Sequence, residues 1–153
     1  MTQQKGLILP LDLIESVSEK ILKEFPEGAI VGLSGELGSG KTTLVRSVIK
    51  TIAKRQGLKI DRVVSPSFVL HQSYEMLKPM VHHFDLYRLN KVDEAMLIEL
   101  EYFDIIAKAE EAKGFVFVEW PELCVDKRVL RLRLQISIQI EENSRQYLFQ
   151  TIK

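Results

Sequence analysis

The chain has 153 residues, of which 46% are hydrophobic and 27% are charged, as in an ordinary globular protein. Its 21 Lys and Arg residues balance its 21 Asp and Glu residues, which argues against a protein whose main task is to grip nucleic acid. The single cysteine excludes an intramolecular disulfide, and no stretch reaches the ~20 apolar residues that cross a bilayer. We therefore predict one domain over residues 1–153, in the cytoplasm and without membrane association.

Helices alternate with a buried strand in the first part of the chain. Apolar residues at helical spacing over Leu11–Phe25, followed by a Pro-Glu-Gly break, predict the first helix. The short apolar run Ala29–Leu33 predicts a buried strand that leads into a glycine-rich loop. Thr43–Gln56 predicts a second helix, which ends near Gly57.

The second part of the chain predicts further strands and a change of pattern. The elements are strands at Phe68–Tyr74 and Met80–Leu86, a helix in two pieces over Val92–Lys113, and a strand at Phe115–Val118. Apolar residues then occupy every even position from 130 to 140, which predicts half-exposed antiparallel strands with Tyr147–Ile152 as a partner. The fold class is α/β, a three-layer sandwich like that of P-loop NTPases, with a mostly parallel central sheet and antiparallel C-terminal strands.

A phosphate-binding loop lies between the first strand and the second helix. Gly35–Thr42 reads G-x-x-x-x-G-K-T, in which the glycines let successive backbone N–H groups face one phosphate chain. The N-terminus of the following helix adds its positive end. Lys41 is expected to reach the outer phosphates and the Thr42 hydroxyl to bind Mg²⁺. The predicted nucleotide-binding residues of this loop are Gly35, Glu36, Leu37, Gly38, Ser39, Gly40, Lys41, Thr42 and Thr43.

Magnesium also requires a carboxylate, and two acids follow apolar strands. Asp85 follows the letters MVHHF, and Glu119 follows FVFV. Glu119 has the cleaner apolar run before it, so it is the predicted metal carboxylate, and Asp85 would act in a second shell or orient the attacking water. Asp85, Glu119 and Lys41 form the predicted catalytic set.

The base is predicted to be adenine. Asn90–Asp93 matches the N-K-x-D motif of GTPases. The D-x-x-G motif that should precede it is missing, because the four residues that begin at Asp85 read D-L-Y-R and end in Arg88 instead of glycine. Asn90–Asp93 is therefore interpreted as the start of a helix. His82 and His83 point to opposite faces of a strand and cannot share one metal ion, so His83 either hydrogen-bonds near the nucleotide or is structural.

These motifs together resemble those of the TsaE family, small bacterial ATPases of the pathway that makes threonylcarbamoyladenosine in tRNA. The letters GELGSGKTT match the phosphate loop of the family, and SPSF at Ser65–Phe68 matches its S-P-T-[FY]. HFDLYRL at His83–Leu89 and VEWPE at Val118–Glu122 are more particular to the family. The resemblance covers residues 28–120 in matching order.

The resemblance implies a role for each matched residue. Thr42 and Glu119 would hold Mg²⁺, and Asp85 would be needed for hydrolysis. Trp120 would lie near the nucleotide, and Ser67 would bind it as part of a switch loop. Ser67 stands where the family usually has threonine, and Glu36 where it has aspartate. Asp12 and Arg145 are the candidates for contacts with adenine.

The resemblance also implies partners. The family works with the TsaB–TsaD pair and functionally with TsaC, so the protein would bind ATP, ADP and Mg²⁺, hydrolyse ATP slowly, and meet tRNA only indirectly. Two other functions use the same loop and stay open: a small-molecule or nucleotide kinase, and a nucleotide-dependent binding module that requires no hydrolysis.

Overall fold

One sheet with helices on both faces forms the framework of the protein. The computed structural model describes residues 4–60 and 70–153. Within them the strands are β1 (Gln4–Pro10), β2 (Ala29–Ser34), β3 (His71–Tyr74), β4 (Val81–Asp85), β5 (Phe115–Glu119), β6 (Leu134–Ile140) and β7 (Ser144–Thr151). The α-helices are α1 (Ile14–Glu24), α2 (Lys41–Arg55), α3 (Glu94–Glu99) and α4 (Tyr102–Glu111).

The centre of the sheet is parallel. Its order is β1-β7-β6-β2-β5-β4-β3. The pairs β6–β2, β2–β5 and β5–β4 are parallel, whereas β7 and β3 run antiparallel to their neighbours. Because β1 is antiparallel to β7, five strands share one direction. The predicted mostly parallel sheet with an antiparallel C-terminal end is confirmed.

Each face of the central strands packs against a different pair of helices. The strands β4 and β5 are buried along their whole length, as expected for parallel strands covered on both sides. Val31 and Phe117 pack with α1 and α2, and Ile30 and Val116 pack with α3 and α4. Successive side chains of a strand alternate between these faces, so Asp85 and Glu119 lie on the side of α2.

One detail of the C-terminal prediction is wrong. The alternation from 130 to 140 is strand only from Leu134 onward, because Lys127–Leu130 forms a 3-10 helix that ends at Arg131 with φ 56°. Leu130 and Leu132 are nevertheless buried, so the burial pattern continues through a segment that is not a strand. The predicted antiparallel partner is confirmed, since β6 pairs antiparallel with β7, and β6 also pairs in parallel with β2 on its other side.

The edge strand β1 is absent from the sequence prediction. Its short apolar run ends at Pro10, and it pairs along its full length with β7, which is far away in the sequence. The predicted strand Phe68–Tyr74 is described only from Leu70, and it begins at His71. The two-piece helix over Val92–Lys113 is confirmed as α3 and α4, which are separated near Glu101, where φ is 57°.

A buried tyrosine on α4 provides a test of the packing. Tyr102 is fully buried, and its hydroxyl donates a 2.7 Å hydrogen bond to the carbonyl oxygen of Leu130. Tyr102→Phe is expected to lower the free energy of unfolding by about 1–3 kcal/mol, since a buried carbonyl would lose its donor. Urea denaturation measures this, with Tyr87→Phe as the control because Tyr87 is 48% exposed. Equal losses in both variants would contradict the prediction.

A second test concerns the pH dependence of stability. The His71 ring stacks on Phe84, and its Nε2 lies 3.1 Å from Nδ1 of His82. Burial, together with the neighbouring His82 and His83, lowers the pKa of His71 from 6.5 to about 4. The unfolded chain therefore binds a proton that the folded chain does not, and stability should fall as the pH drops from about 6.5 to about 4.

We expect His71 to contribute about 1–2 kcal/mol to this loss, since the ring is only partly buried. The free energy of unfolding of His71→Gln, measured between pH 7 and pH 4.5, should depend less on pH than that of the wild type. Some dependence should remain, because burial also lowers the pKa of His82. Identical slopes for the two proteins would rule out this role for His71.

Candidate nucleotide-binding site

The site lies where three parallel strands end. In the register of the sheet, Leu33 of β2 is opposite Glu119 of β5, and Asp85 of β4 is opposite Glu119 on the other side. The phosphate loop follows β2 directly and leads into α2. The parallel pairing therefore brings two carboxylates to the loop from strands that are distant in the sequence.

The loop is tight at its beginning and open at its end. A Cβ atom on Gly35 would lie 2.4 Å from Oγ of Ser39, so the close curl of the backbone requires glycine there. Gly40, the N-cap of α2, has a φ of 106°, and a Cβ atom on it would meet nothing within 4 Å. Space thus adjoins the first N–H groups of α2, which is the arrangement that accommodates a phosphate.

Lys41 is held inside the loop. Its side chain is nearly buried, and Nζ donates hydrogen bonds to the carbonyl oxygens of Gly35 (2.7 Å) and Glu36 (3.1 Å). Nζ also lies 4.1 Å from the centroid of the Trp120 ring, a cation–π contact. Burial lowers the pKa of Lys41, and the charge of Glu119 opposes that shift. Two carbonyl oxygens and the face of an aromatic ring thus surround the Lys41 ammonium. A negatively charged phosphate oxygen would be a stronger partner for it than these neutral groups.

Glu119 joins the loop to the neighbouring strand. The Thr42 hydroxyl lies 2.9 Å from both carboxylate oxygens of Glu119. On the other side, Nε2 of His83 lies 2.6 Å from Oε2 of Glu119. Glu119 and His83 are both almost completely buried. The carboxylate is therefore fixed between α2 and β4.

Asp85 and two aromatic residues line the mouth of the site. Asp85 is 6% exposed, and its Oδ1 accepts a 3.1 Å hydrogen bond from the backbone N–H of Tyr87. The rings of Tyr87 and Trp120 are 4.9 Å apart. Trp120 adopts a left-handed conformation with φ 62°, so the chain turns sharply after β5 and places the indole against Lys41.

These groups surround a pocket of about 220 Å³. Its lining consists of Leu37, Gly38, Gly40, Lys41, Thr42, Thr43, Asp85, Tyr87, Glu119 and Trp120. Nine of these ten are predicted site residues. Gly35, Glu36 and Ser39 lie behind the pocket, where they contact the Lys41 ammonium. Ser67 falls outside the described residues.

The remaining predicted residues have clear positions. Nε of Arg145 donates a 3.0 Å hydrogen bond to the carbonyl oxygen of Ser39, so β7 reaches the back of the loop. Asp12 lies on an exposed 3-10 helix after β1. Asp93 is the N-cap of α3 and accepts a 2.9 Å hydrogen bond from the N–H of Met96, which confirms the interpretation of Asn90–Asp93 as a helix start.

Sequence reasoning missed two features of the site. Tyr87 was not considered, although it lies two residues after Asp85 within the letters DLYR. The contact of His83 with Glu119 was also missed, and only the shared face of His83 and Asp85 pointed to it. A ring on one strand and a carboxylate on another meet only through the sheet register.

The donor set suits magnesium better than a transition metal. Among the described residues, no group of three or more His, Cys, Asp or Glu side chains is arranged to hold a metal ion. Magnesium is usually bound through one or two protein oxygens, with phosphate oxygens and water completing its shell. Thr42 and Glu119 supply oxygens beside the open end of the loop, so they fit such an ion.

A parallel strand, a G-x-x-x-x-G-K-T loop and a helix that starts at its lysine define a P-loop protein, here within a three-layer α/β sandwich. Within that class the chain belongs to the TsaE family. The family model for "Threonylcarbamoyl adenosine biosynthesis protein TsaE" matches residues 11–147. The family that the sequence motifs predicted is thereby confirmed.

Individual relatives agree with this family. A Streptomyces coelicolor protein named "tRNA threonylcarbamoyladenosine biosynthesis protein TsaE" is 33% identical to this chain, over 80% of this chain and 78% of the relative. The protein of that name from Synechocystis is 33% identical, over 73% of this chain and 66% of the relative. The one from Haemophilus influenzae is 35% identical, over 69% of this chain and 60% of the relative. The match thus spans less than two thirds of the length of the latter two relatives.

A solved structure shares the fold. The crystal structure of Bacillus subtilis YdiB superposes with a TM-score of 0.62 and 23% identity, over 100% of this chain and 88% of the other. The likeness supports the α/β fold class. In the described part of the chain, the helices are too short or too polar to cross a membrane.

Trp120 provides an optical test of the site. It is the only tryptophan, and the Lys41 ammonium lies 4.1 Å from its ring centroid. Adding ADP and Mg²⁺ should change the tryptophan emission, because Lys41 would move from the ring toward phosphate. Lys41→Met, which lacks the cation, should show no such change. Nucleotide binding detected by calorimetry without a change in wild-type emission would contradict this role of Lys41.

Proposed function

We propose that the protein binds Mg-ATP and hydrolyses it slowly, in support of the TsaB–TsaD pair as it forms threonylcarbamoyladenosine next to the anticodon of tRNA. TsaC would make the group that the pair transfers. The observation that carries the proposal is the contact of Thr42 with Glu119, 2.9 Å from each carboxylate oxygen, beside a pocket that contains Lys41. Membership of the TsaE family supports the link to tRNA modification.

The loop residues would bind and orient the phosphates. A Cβ atom on Gly38 or on Gly40 would meet nothing within 4 Å, so there is room beside the loop where it leads into α2. Lys41 would exchange its carbonyl contacts for the outer phosphate oxygens. Thr42 and Glu119 would hold Mg²⁺, which supplies positive charge to the phosphate oxygens when bound.

Asp85 would act on the attacking water. Its carboxylate lines the pocket and is held at Oδ1 by the N–H of Tyr87. A carboxylate in this position accepts a hydrogen bond from water and aligns it for attack on the outer phosphate. Glu119 lies beside it in the sheet but is already engaged by Thr42 and His83. The two acids would therefore have different roles.

We expect low activity of the isolated protein because few cationic side chains line the site. Lys41 is the only cationic side chain in the described lining of the pocket. Nucleotide switches without an arginine in the transition state are slow, on the order of 10⁻⁴ s⁻¹ in Ras, and accelerate when a partner completes the site. We infer that the TsaB–TsaD pair completes this one.

The direct test measures ADP release by the purified protein, alone and with TsaB–TsaD. We expect a low basal rate that rises several-fold with the pair. Lys41→Ala should abolish the stimulated rate, because the phosphates would lose their cation. Lys54→Ala on the same helix is the matched control, since its Nζ is on the surface, 3.8 Å from Glu15. Normal turnover by Lys41→Ala would overturn the proposal.

The same assay separates the two alternatives. A rate of ADP release that is the same with and without the pair, but depends on an added nucleoside or sugar acceptor, would establish a kinase. Asp85→Asn tests the binding module. If this variant binds ATP and still supports tRNA modification, hydrolysis is not required and the ATPase proposal fails.

A further inference from the structure

Glu119 is held by an imidazole as well as by the phosphate loop. The Nε2 atom of His83 lies 2.6 Å from Oε2 of Glu119, and the two side chains are 1% and 3% exposed. We propose that His83 is a positioning residue, whose Nε2–H fixes the Glu119 carboxylate in the orientation that binds the metal ion. The inference rests on the proposed Mg-nucleotide site, and it assigns a function to a histidine to which the mechanism above gives no role of its own.

The geometry identifies the donor. A carboxylate oxygen only accepts hydrogen bonds, so Nε2 of His83 must carry the hydrogen in this contact. The other ring nitrogen, Nδ1, is buried and has no hydrogen-bond partner among the described residues. Among the residues that the structure describes, the contact with Glu119 is therefore the one polar interaction that orients the imidazole. The tautomer with its hydrogen on Nε2 is the one that satisfies this contact.

The sheet explains why this histidine reaches Glu119. His83 is opposite Phe117, and Asp85 is opposite Glu119, in the parallel register of β4 and β5. His83, Asp85 and Glu119 share the face that packs against α2, because side chains alternate along each strand. The imidazole therefore spans diagonally between strands to reach Oε2, while both carboxylate oxygens remain 2.9 Å from the Thr42 hydroxyl.

The hydrogen bond limits how the carboxylate can turn. Without it, Thr42 would be the only hydrogen-bond donor to the Glu119 oxygens among the contacts described. A buried carboxylate with one donor fewer can rotate about its terminal bond, and it would have to be realigned when the ion binds. Outer groups that orient a metal ligand in this way typically change metal affinity by about 10- to 100-fold.

His83 is better suited to orient a ligand than to be one. Magnesium prefers oxygen, and no cluster of three metal-binding side chains is found among the described residues. The adjacent His82 provides a natural control. It is equally buried in the same strand, but it faces the opposite side of the sheet and contacts His71.

Two polar replacements of different length test the inference. The amide nitrogen of glutamine reaches about as far as Nε2 of histidine, whereas that of asparagine reaches only about as far as Nδ1. We expect His83→Asn to raise the Mg²⁺ concentration for half-maximal tightening of ADP binding by about 10- to 100-fold. His83→Gln should stay within about threefold of the wild type. His82→Gln should leave this concentration unchanged.

The readouts separate orientation of the ligand from general damage. ADP affinity in EDTA and the thermal midpoint should be similar for His83→Gln and His83→Asn. The Mg²⁺ titration can be followed by calorimetry, which requires no turnover. Equal Mg²⁺ requirements in the Asn variant and the wild type would overturn the inference, and so would equal losses in the Gln and Asn variants. If the wild type itself shows no effect of Mg²⁺ on ADP binding, the proposed metal site fails instead.

One measurement requires no substitution. The chain has only three histidines, so the nitrogen signals of their rings can be resolved in a ¹⁵N correlation spectrum of the labelled wild type. His83 should have its hydrogen on Nε2, as the contact with Glu119 demands. A ring that carries its hydrogen on Nδ1 alone could not donate to Glu119, and the inference would be wrong even if every variant failed to fold.

Discussion

The site depends on the parallel pairing of β5 with β2 on one side and β4 on the other. This pairing brings Glu119 between the end of β2, where the phosphate loop begins, and Asp85 at the end of β4. If β5 shifted by one residue, Glu119 would point to the other face of the sheet, away from α2. The hydrophobic residues of β5 oppose such a shift, because both of its faces are buried against helices.

The burial of the site also raises the energetic cost of its charged side chains. Lys41, Asp85 and Glu119 are each at most 6% exposed, and buried charges are costly unless they are paired and hydrogen-bonded. The protein meets that requirement with backbone carbonyls for the ammonium and with hydroxyl, imidazole and N–H donors for the carboxylates. The two carboxylates are thus held in place by these donors, whereas Lys41 would have to leave its carbonyl contacts to meet a phosphate oxygen.

The parts of the fold that could be predicted are those encoded locally. The buried strand at Ala29–Leu33 and the two-piece helix follow from runs of neighbouring residues, and the structure contains both. The edge strand β1 was missed, and the segment before Leu134 was predicted as a strand. In both cases, whether the segment is a strand depends on pairing with residues that are distant in the sequence. A 3-10 helix can bury alternate leucines as a strand does, so period-two alternation alone did not distinguish them.

The sequence by itself determined the phosphate loop, the family and the candidate acids, because a motif of eight residues carries its own backbone geometry. It also determined that His83 and Asp85 share a face, since alternation is a property of one strand. Only the tertiary structure decided that Glu119 contacts Thr42 and His83, that Arg145 reaches the back of the loop, and that Trp120 covers Lys41. These contacts join segments that are distant in the sequence, and strand order and register, which no local pattern specifies, bring them together.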